Sequence, residues 1–229
     1  KPHCDSIRRL LGHPQVVVRL NEMCGKGWRL DHGPQFNNAV KGTVGLTLHG
    51  KGDPHGEAVG YKNQGDLLYC GGLTVSWNLT DCPAGGGGFV CAPGSHKSKY
   101  PLPDGVVTCD DDGGAVVQPE LRAGDVLFFM DGAQTHGTHP WRNDHDRRSL
   151  LFKYASRTST RSGPSREVYL PETYWDASTC VEMSPEEQAV MHGPGSGIGN
   201  RNMWLTVATD GTVKLDTPDG KPVEAPTYP

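Results

Sequence analysis

The feature that most constrains the fold is a strict alternation of apolar and polar residues over residues 73–80. Leu73, Val75, Trp77 and Leu79 alternate there with threonine, serine and asparagine. Since successive side chains of a β-strand point to opposite faces of a sheet, this pattern predicts a strand with one buried face. Three shorter segments also read as strands because they are rich in β-branched and apolar residues: 43–49, 126–130 and 149–154.

The composition favours many short strands joined by tight turns. The 229 residues include 31 glycines and 18 prolines, while 35% remain apolar and no collagen-like repeat is present. A mainly-β chain of this length commonly forms one domain. We therefore expect a single domain over residues 1–229, with a core at about 41–157 and a C-terminal extension at 158–229.

Two peripheral helices and a terminal hairpin are predicted outside this core. Pro14 suits the first turn of a helix, and the apolar residues that follow recur at helical spacing up to Gly25. Residues 184–187 read Ser-Pro-Glu-Glu, a capping box that begins a second helix. Thr209-Asp210-Gly211 predicts the turn of a hairpin over residues 207–215. The polar, glycine-rich segment 50–72 predicts a long functional loop.

Charge and cysteine usage exclude several classes of partner. The chain carries 22 basic and 26 acidic residues without a basic stripe, so nucleic acid is not an expected partner. No apolar run approaches the roughly 18 residues of a membrane span, and no membrane partner is expected. The seven cysteines contain no C-x-x-C pair, which favours a reducing compartment, and we expect a cytoplasmic location.

The histidines and arginines that follow the buried strands carry the chemistry. His136 comes after the strand 126–130 by a short turn, and Arg147 follows eleven residues later at the entry to the next strand. A neutral imidazole can bind iron, and a guanidinium can grip a carboxylate with two parallel hydrogen bonds. Together they suit 2-oxoglutarate, which chelates iron through its keto acid and has a second carboxylate. The alternative is a turn histidine followed by two arginines, Arg147 and Arg148, that pair with nearby aspartates.

Three segments in this order resemble the core of the phytanoyl-CoA dioxygenase family: GGLTVSWNLTDCPAGGGGFVCAPGSHKS (71–98), LRAGDVLFFMDGAQTHGTHPW (121–141) and RRSLLFKY (147–154). The resemblance implies a jelly-roll double-stranded β-helix that binds Fe(II) and 2-oxoglutarate. It also implies that His136 is the distal iron ligand and that Arg147 and Thr138 bind the far carboxylate of 2-oxoglutarate. Arg148 takes the place of Arg147 if the register slips by one residue.

The first half of the iron site departs from the family pattern. Members carry His-x-Asp at a strand end, and His49 falls in the histidine place whereas Lys51 occupies the aspartate place. A charged lysine cannot bind ferrous iron, so another oxygen donor is needed or a position stays open. We expect His49 with Asp53 to complete the site. Two alternatives remain, a His55 and Glu57 pair in the following loop, or no carboxylate with a halide or water in its place, as in related halogenases.

These residues predict an Fe(II)- and 2-oxoglutarate-dependent dioxygenase that hydroxylates a small organic substrate, with His49, Asp53 and His136 as metal ligands and Arg147 and Thr138 as 2-oxoglutarate contacts. Dioxygen is the other expected partner. One alternative is a jelly-roll binding or structural module that has lost the catalytic metal, which Lys51 favours. Another is a metal-dependent cupin enzyme that does not use 2-oxoglutarate and assigns no role to Arg147.

Overall fold

The alternating segment 73–80 forms a strand of a computed structural model that describes residues 4–50, 60–98, 100, 102–157, 182–191 and 203–217. The described α-helices are α1 (Asp5–Arg8), α2 (Pro14–Met23), α3 (Asp104–Thr108) and α4 (Pro185–Met191), with 3₁₀ turns at Arg9–Gly12 and Ser95–Lys97. The described strands are β1 (Arg29–Ala39), β2 (Leu46–His49), β3 (Tyr61–Gln64), β4 (Leu67–Cys70), β5 (Gly72–Asn78), β6 (Gly88–Cys91), β7 (Val126–Phe129), β8 (His136–His139), β9 (Arg147–Ala155), β10 (Trp204–Val207) and β11 (Val213–Asp216).

The chain divides into two compact units. The first comprises Lys1–His32, Lys62–Gly71 and Tyr154–Pro229, and the second comprises Gly33–Tyr61 and Gly72–Lys153. The expectation of a single domain over 1–229 stays a prediction. No described helix has the combination of length and apolar composition that crossing a membrane requires.

The second unit contains two sheets whose inner faces meet. One sheet has the strand order β1-β9-β5-β7 and the other has the order β2-β8-β6. Within the second sheet, β8 pairs antiparallel with both neighbours, so that Thr138 lies opposite Leu46 on β2 and Phe89 on β6. The rings of Phe89 and Phe129 lie 4.7 Å apart between centroids, and they join the two sheets. This arrangement is the predicted mainly-β jelly roll, and the fold prediction is confirmed.

Strand β5 differs from its prediction, because both of its faces are buried. Leu73 and Val75 are buried as expected, but so are Thr74, Ser76 and Asn78 on the opposite face. Thr74 lies opposite Phe129 in the antiparallel pairing of β5 with β7, and Phe129 points between the sheets. The polar face of β5 therefore lines the interior of the jelly roll, where hydroxyl groups are available to a ligand.

The predicted long loop 50–72 is wrong in its second half. Residues 61–70 form the two-stranded sheet β3-β4, which turns at Gly65 with a positive φ of 61°. Tyr61–Gln64 shows no apolar alternation because its side chains, after Tyr61, are exposed, and periodicity therefore gave no signal for a strand. Residues 51–59 lie outside the described residues.

The first unit contains the predicted helices and the predicted terminal hairpin. Helix α2 begins at Pro14, and α4 is capped by Ser184 and Glu187, whose side chains each accept a hydrogen bond from the other's backbone N–H. Strands β10 and β11 pair antiparallel around the predicted turn. The core of this unit includes Trp28 and Tyr154, whose rings meet edge to face with centroids 5.2 Å apart.

Candidate active site

Two histidines that are far apart in the sequence meet at one end of the jelly roll. His49 ends β2 and His136 begins β8, and the two residues lie opposite each other in the antiparallel pairing of these strands. Their ring centroids are 4.3 Å apart, with planes tilted by 53°. His136 is buried, whereas His49 is exposed at the edge of the sheet. The hydrogen bonds of the sheet therefore bring together the two imidazoles that the sequence predicts as metal ligands.

Backbone carbonyls determine which nitrogen of each ring is available. Nδ1 of His49 lies 3.1 Å from the carbonyl oxygen of Thr47, and Nδ1 of His136 lies 2.7 Å from that of Gln134. Because a carbonyl oxygen only accepts, each Nδ1 donates its proton, and each Nε2 keeps an unshared electron pair in the neutral ring. Metal-binding histidines have this arrangement.

The surroundings of the two rings favour their neutral form. Loss of solvation is the largest influence on the pKa of both rings and lowers it below the usual value, through burial of His136 and through the protein atoms that cover one side of the partly exposed His49. The positive charge of Lys153 lowers both pKa values further, while the hydrogen bonds to the backbone carbonyls oppose the shift. Neutral imidazoles are the form that binds a metal cation.

The carboxylate of Asp131 faces the available nitrogen of His136. Its Oδ1 lies 3.4 Å from Nε2 of His136, its Oδ2 lies 3.4 Å from Nζ of Lys153, and its side chain is 8% exposed. A carboxylate oxygen and an unprotonated nitrogen both present electron pairs, so their close approach at a buried position is stabilised by a cation between or beside them. The sequence interpretation assigned no role to Asp131 or Lys153. The signal for Asp131 was its place in the short turn between a buried strand and His136.

The separation of two of these donors is compatible with one divalent metal ion between them. At metal–ligand distances of about 2.1 Å, neighbouring donor atoms of one metal lie about 3 Å apart, close to the separation of His136 Nε2 and Asp131 Oδ1. In the part of the chain that the structure describes, no group of three or more His, Cys, Asp or Glu side chains is already arranged to hold a metal. The predicted ligand Asp53 lies outside the described residues, as do Lys51, His55 and Glu57.

Arg147 extends into the interior of the same unit at the other end of the site. Its side chain is buried, and its Nε makes no hydrogen bond within the described part of the chain. A Cβ atom on Gly88 would lie 2.9 Å from this Nε, so the absence of a side chain at Gly88 leaves room for the guanidinium. The Cys82 thiol also lies beside Arg147, whose charge opposes the rise in the thiol pKa that burial causes. A buried guanidinium with an unused donor suits a carboxylate ligand.

The structure distinguishes between the two adjacent arginines. Arg148 is exposed, and its guanidinium pairs with Asp146 at 3.0 Å and with the side-chain oxygen of Asn38 at 3.2 Å. Arg148 therefore behaves as the ordinary ion-paired arginine of the alternative interpretation. Arg147 points to the buried face, and the register is the one that the sequence prediction preferred.

Thr138 lies two residues beyond His136 and shares its face of β8. Its Oγ1 accepts a hydrogen bond of 2.9 Å from the backbone N–H of Leu46, at the irregular part of the β2–β8 pairing. One acceptor position of this hydroxyl therefore serves to hold β2. Gly137 between the two residues is required because a Cβ atom there would collide with the Leu46 carbonyl oxygen.

The Pro-Gly-Ser-His-Lys turn supports the histidine end of the site. Ser95 Oγ accepts a hydrogen bond of 2.8 Å from the N–H of Thr135, directly before His136. The ring of His96 packs edge to face against Tyr61, with centroids 4.6 Å apart. These contacts give the turn a structural role next to His136.

Comparison with known proteins identifies the family and the fold. The sequence profile described as Phytanoyl-CoA dioxygenase (PhyH) matches residues 3–149. Among solved structures, HygX from Streptomyces hygroscopicus with nickel and 2-oxoglutarate bound is similar with a TM-score of 0.60 and 23% identity, over 69% of this chain and 69% of that chain. None of the curated proteins matches the chain.

Two further HygX structures from Streptomyces hygroscopicus give the same result. The one with iron bound has a TM-score of 0.59 and 22% identity, over 69% of this chain and 70% of that chain. The one with nickel, 2-oxoglutarate and hygromycin B bound has a TM-score of 0.60 and 23% identity, over 69% of this chain and 67% of that chain. At these identities the similarity establishes the fold.

Proposed function

The chain belongs to the phytanoyl-CoA dioxygenase family, and from this premise we propose that it is an Fe(II)- and 2-oxoglutarate-dependent oxygenase that hydroxylates a small organic molecule. The proposal rests on the pair His49 and His136. Each Nδ1 is hydrogen-bonded to a backbone carbonyl oxygen, and the ring centroids are 4.3 Å apart. The iron and 2-oxoglutarate in similar HygX structures agree with it.

In this proposal the protein binds a metal ion through ligands on one side of the ion and leaves the other coordination positions open for the co-substrate and dioxygen. His49 and His136 would bind it through Nε2, with Asp53 as the carboxylate that the sequence predicts. Asp131 adds a negative charge beside His136, and Lys153 holds that carboxylate in place. Fe(II), when bound with 2-oxoglutarate and dioxygen, supplies the oxidising power for hydroxylation, with succinate and carbon dioxide as co-products.

Arg147 anchors the co-substrate in this proposal. Its guanidinium binds the distal carboxylate of 2-oxoglutarate, which directs the keto-acid end toward the two histidines. Phe89 and Phe129 lie near His136, with ring centroids at 6.2 Å and 4.7 Å from the imidazole, and form an apolar wall. Such a wall limits access of water to the reacting groups.

The test combines binding and turnover. Fe(II) and 2-oxoglutarate, added without oxygen, are expected to raise the Tm of the protein, and oxygen is then expected to yield succinate. His136→Ala is expected to abolish Fe(II) binding, whereas His139→Ala, on the opposite face of the same strand, retains it. A wild-type protein that binds neither iron nor 2-oxoglutarate would support the alternative, a jelly-roll binding module without a catalytic metal.

A further inference from the structure

Thr74 lies at the histidine end of the jelly roll, on the buried polar face of β5. It lies opposite Phe129 in the antiparallel pairing with β7, and the Phe129 ring is 4.7 Å from that of His136 between centroids. Residues directly opposite each other in such a pair point to the same face of the sheet. Because Phe129 points between the sheets, the Thr74 side chain also points into the interior, toward the sheet that carries the two histidines.

The other neighbouring strand, β9, places Lys153 beside Thr74. Backbone hydrogen bonds define the antiparallel register at both ends of this pairing, from Leu79 to Arg148 and from Ser156 to Gly71. The same register places Thr74 directly opposite Lys153, whose Nζ lies 3.4 Å from Oδ2 of Asp131. Both neighbouring strands therefore locate Thr74 at the level of the candidate metal ligands.

Thr74 is completely buried, and its hydroxyl makes no hydrogen bond within the described residues. Buried polar side chains in folded proteins are nearly always hydrogen-bonded. Thr80 shows the usual arrangement, since its Oγ1 accepts a hydrogen bond of 2.8 Å from the Arg148 N–H. The Thr74 hydroxyl has no such structural partner and is available to a ligand.

A co-substrate bound at Arg147 does not extend to this level of the interior. Strand β9 advances about 20 Å over the six positions from Arg147 to Lys153, at about 3.4 Å per residue. The terminal carbons of 2-oxoglutarate are about 5 Å apart, since each carbon–carbon bond is about 1.5 Å long. The Thr74 hydroxyl is therefore left for the molecule that the enzyme oxidises.

The surroundings of Thr74 favour a neutral partner over a charged one. The positive charge of Lys153 already faces the carboxylate of Asp131, so this pair adds no net charge beside Thr74. A threonine hydroxyl can both donate and accept a hydrogen bond, and an alcohol can do the same. The adjacent ring of Phe129 suits the carbon skeleton of such a ligand.

We propose that the Thr74 hydroxyl is a specificity determinant that binds a hydroxyl group of the substrate and positions a neighbouring C–H bond at the metal. The substrate class is then a neutral organic molecule that carries an alcohol group. This inference rests on the proposed function and deepens it.

Two threonine variants separate this role from a structural one. Thr74→Val keeps the shape of the side chain and removes a buried hydroxyl without a partner, so it is expected to raise the Tm of the ligand-free protein by roughly 2–4 °C. Thr80→Val is the control. It removes a hydroxyl that accepts a hydrogen bond from the backbone, and it is expected to lower the Tm.

Ligand binding is measured with two probes that differ by one hydroxyl group, tetrahydropyranol and tetrahydropyran. Wild type and Thr74→Val are loaded without oxygen with 2-oxoglutarate and Co(II), a paramagnetic ion that replaces Fe(II) and relaxes the NMR signals of a probe bound near it. Thr74→Val is expected to raise the Kd of tetrahydropyranol about fivefold, as the loss of one neutral hydrogen bond does, and to change that of tetrahydropyran less than twofold.

A lower Tm in Thr74→Val, as in the control, would show that the hydroxyl is structural and would overturn the inference. Equal Kd values of tetrahydropyranol in the two proteins, or no binding of either probe near the metal in wild type, would also overturn it. Weaker binding of 2-oxoglutarate to Thr74→Val, measured by calorimetry, would assign the hydroxyl to the co-substrate instead. Wild type that binds Co(II) but no 2-oxoglutarate contradicts the proposed function itself.

Discussion

Asp131 places Oδ1 3.4 Å from Nε2 of His136, the nitrogen whose electron pair is available to a metal. Its negative charge attracts a cation bound there, and two unit charges about 4 Å apart attract by about 1 kcal/mol in water and about 4 kcal/mol near a protein surface, which is roughly tenfold or more in affinity. Asp131→Asn is therefore expected to weaken metal binding at least tenfold. Anaerobic titration with Co(II), a divalent ion used in place of Fe(II), measures this affinity. Asp144→Asn, which changes an exposed carboxylate paired with Lys41, is the control and is expected to bind as wild type.

The carboxylate that completes the metal shell is predicted from sequence to be Asp53. Asp53→Asn is expected to reduce Co(II) affinity by at least tenfold, whereas Glu57→Gln is expected to have little effect. The same titration measures both variants. A strong loss in Glu57→Gln with none in Asp53→Asn would favour the His55 and Glu57 alternative, and no loss in either would favour a site without a carboxylate from this segment.

Gly50 follows His49 directly and packs against the other imidazole. A Cβ atom there would lie 2.9 Å from Nδ1 of His136 and 2.7 Å from the Gln134 carbonyl oxygen that holds this ring. Gly50→Ala is expected to displace His136 and to lower Co(II) affinity about tenfold. Gly42→Ala is the matched control, since Gly42 also has a positive φ but open space around it. Equal affinities of the two variants would show that the contact is unimportant.

Gly88 determines the space available to Arg147. Gly88→Ala adds a methyl group 2.9 Å from Nε of Arg147, so the guanidinium must move, and the Kd of 2-oxoglutarate is expected to rise about tenfold. Gly85→Ala, in the same turn region, has a similar positive φ with nothing near its Cβ position. It therefore reproduces the backbone strain without the collision. Calorimetry on the Fe(II)-loaded proteins provides the comparison, and similar affinities would contradict the prediction.

Tyr154 stabilises the first unit through a buried hydrogen bond. Its hydroxyl donates to the carbonyl oxygen of Leu11 at 3.2 Å, and complete burial raises its pKa far above the usual value. Tyr154→Phe leaves that carbonyl unsatisfied and is expected to lower the free energy of unfolding by about 1–2 kcal/mol, measured by urea denaturation. Tyr100→Phe, at an exposed tyrosine, is expected to leave it unchanged.

Periodicity predicted where strands run, and the resemblance of the ordered motifs to the phytanoyl-CoA dioxygenase family implied the jelly roll and the meeting of His49 with His136. The sequence also predicted helix α2 and the capping box at Ser184, since these depend on residues only a few positions apart. It did not predict the β3–β4 hairpin, whose first strand has no apolar alternation, or the burial of both faces of β5.

What the sequence determined alone is therefore local: where strands run, and which residues stand at their ends. Tertiary structure decided which atoms are available for chemistry. Only the folded chain shows that Arg147 rather than Arg148 is buried. It also shows that the Thr138 hydroxyl accepts a hydrogen bond from the Leu46 N–H, and that the Asp131 carboxylate faces His136. The physical reason is that a hydrogen bond or an ion pair depends on distance and direction between residues far apart in the chain, and periodicity along the chain does not encode either quantity.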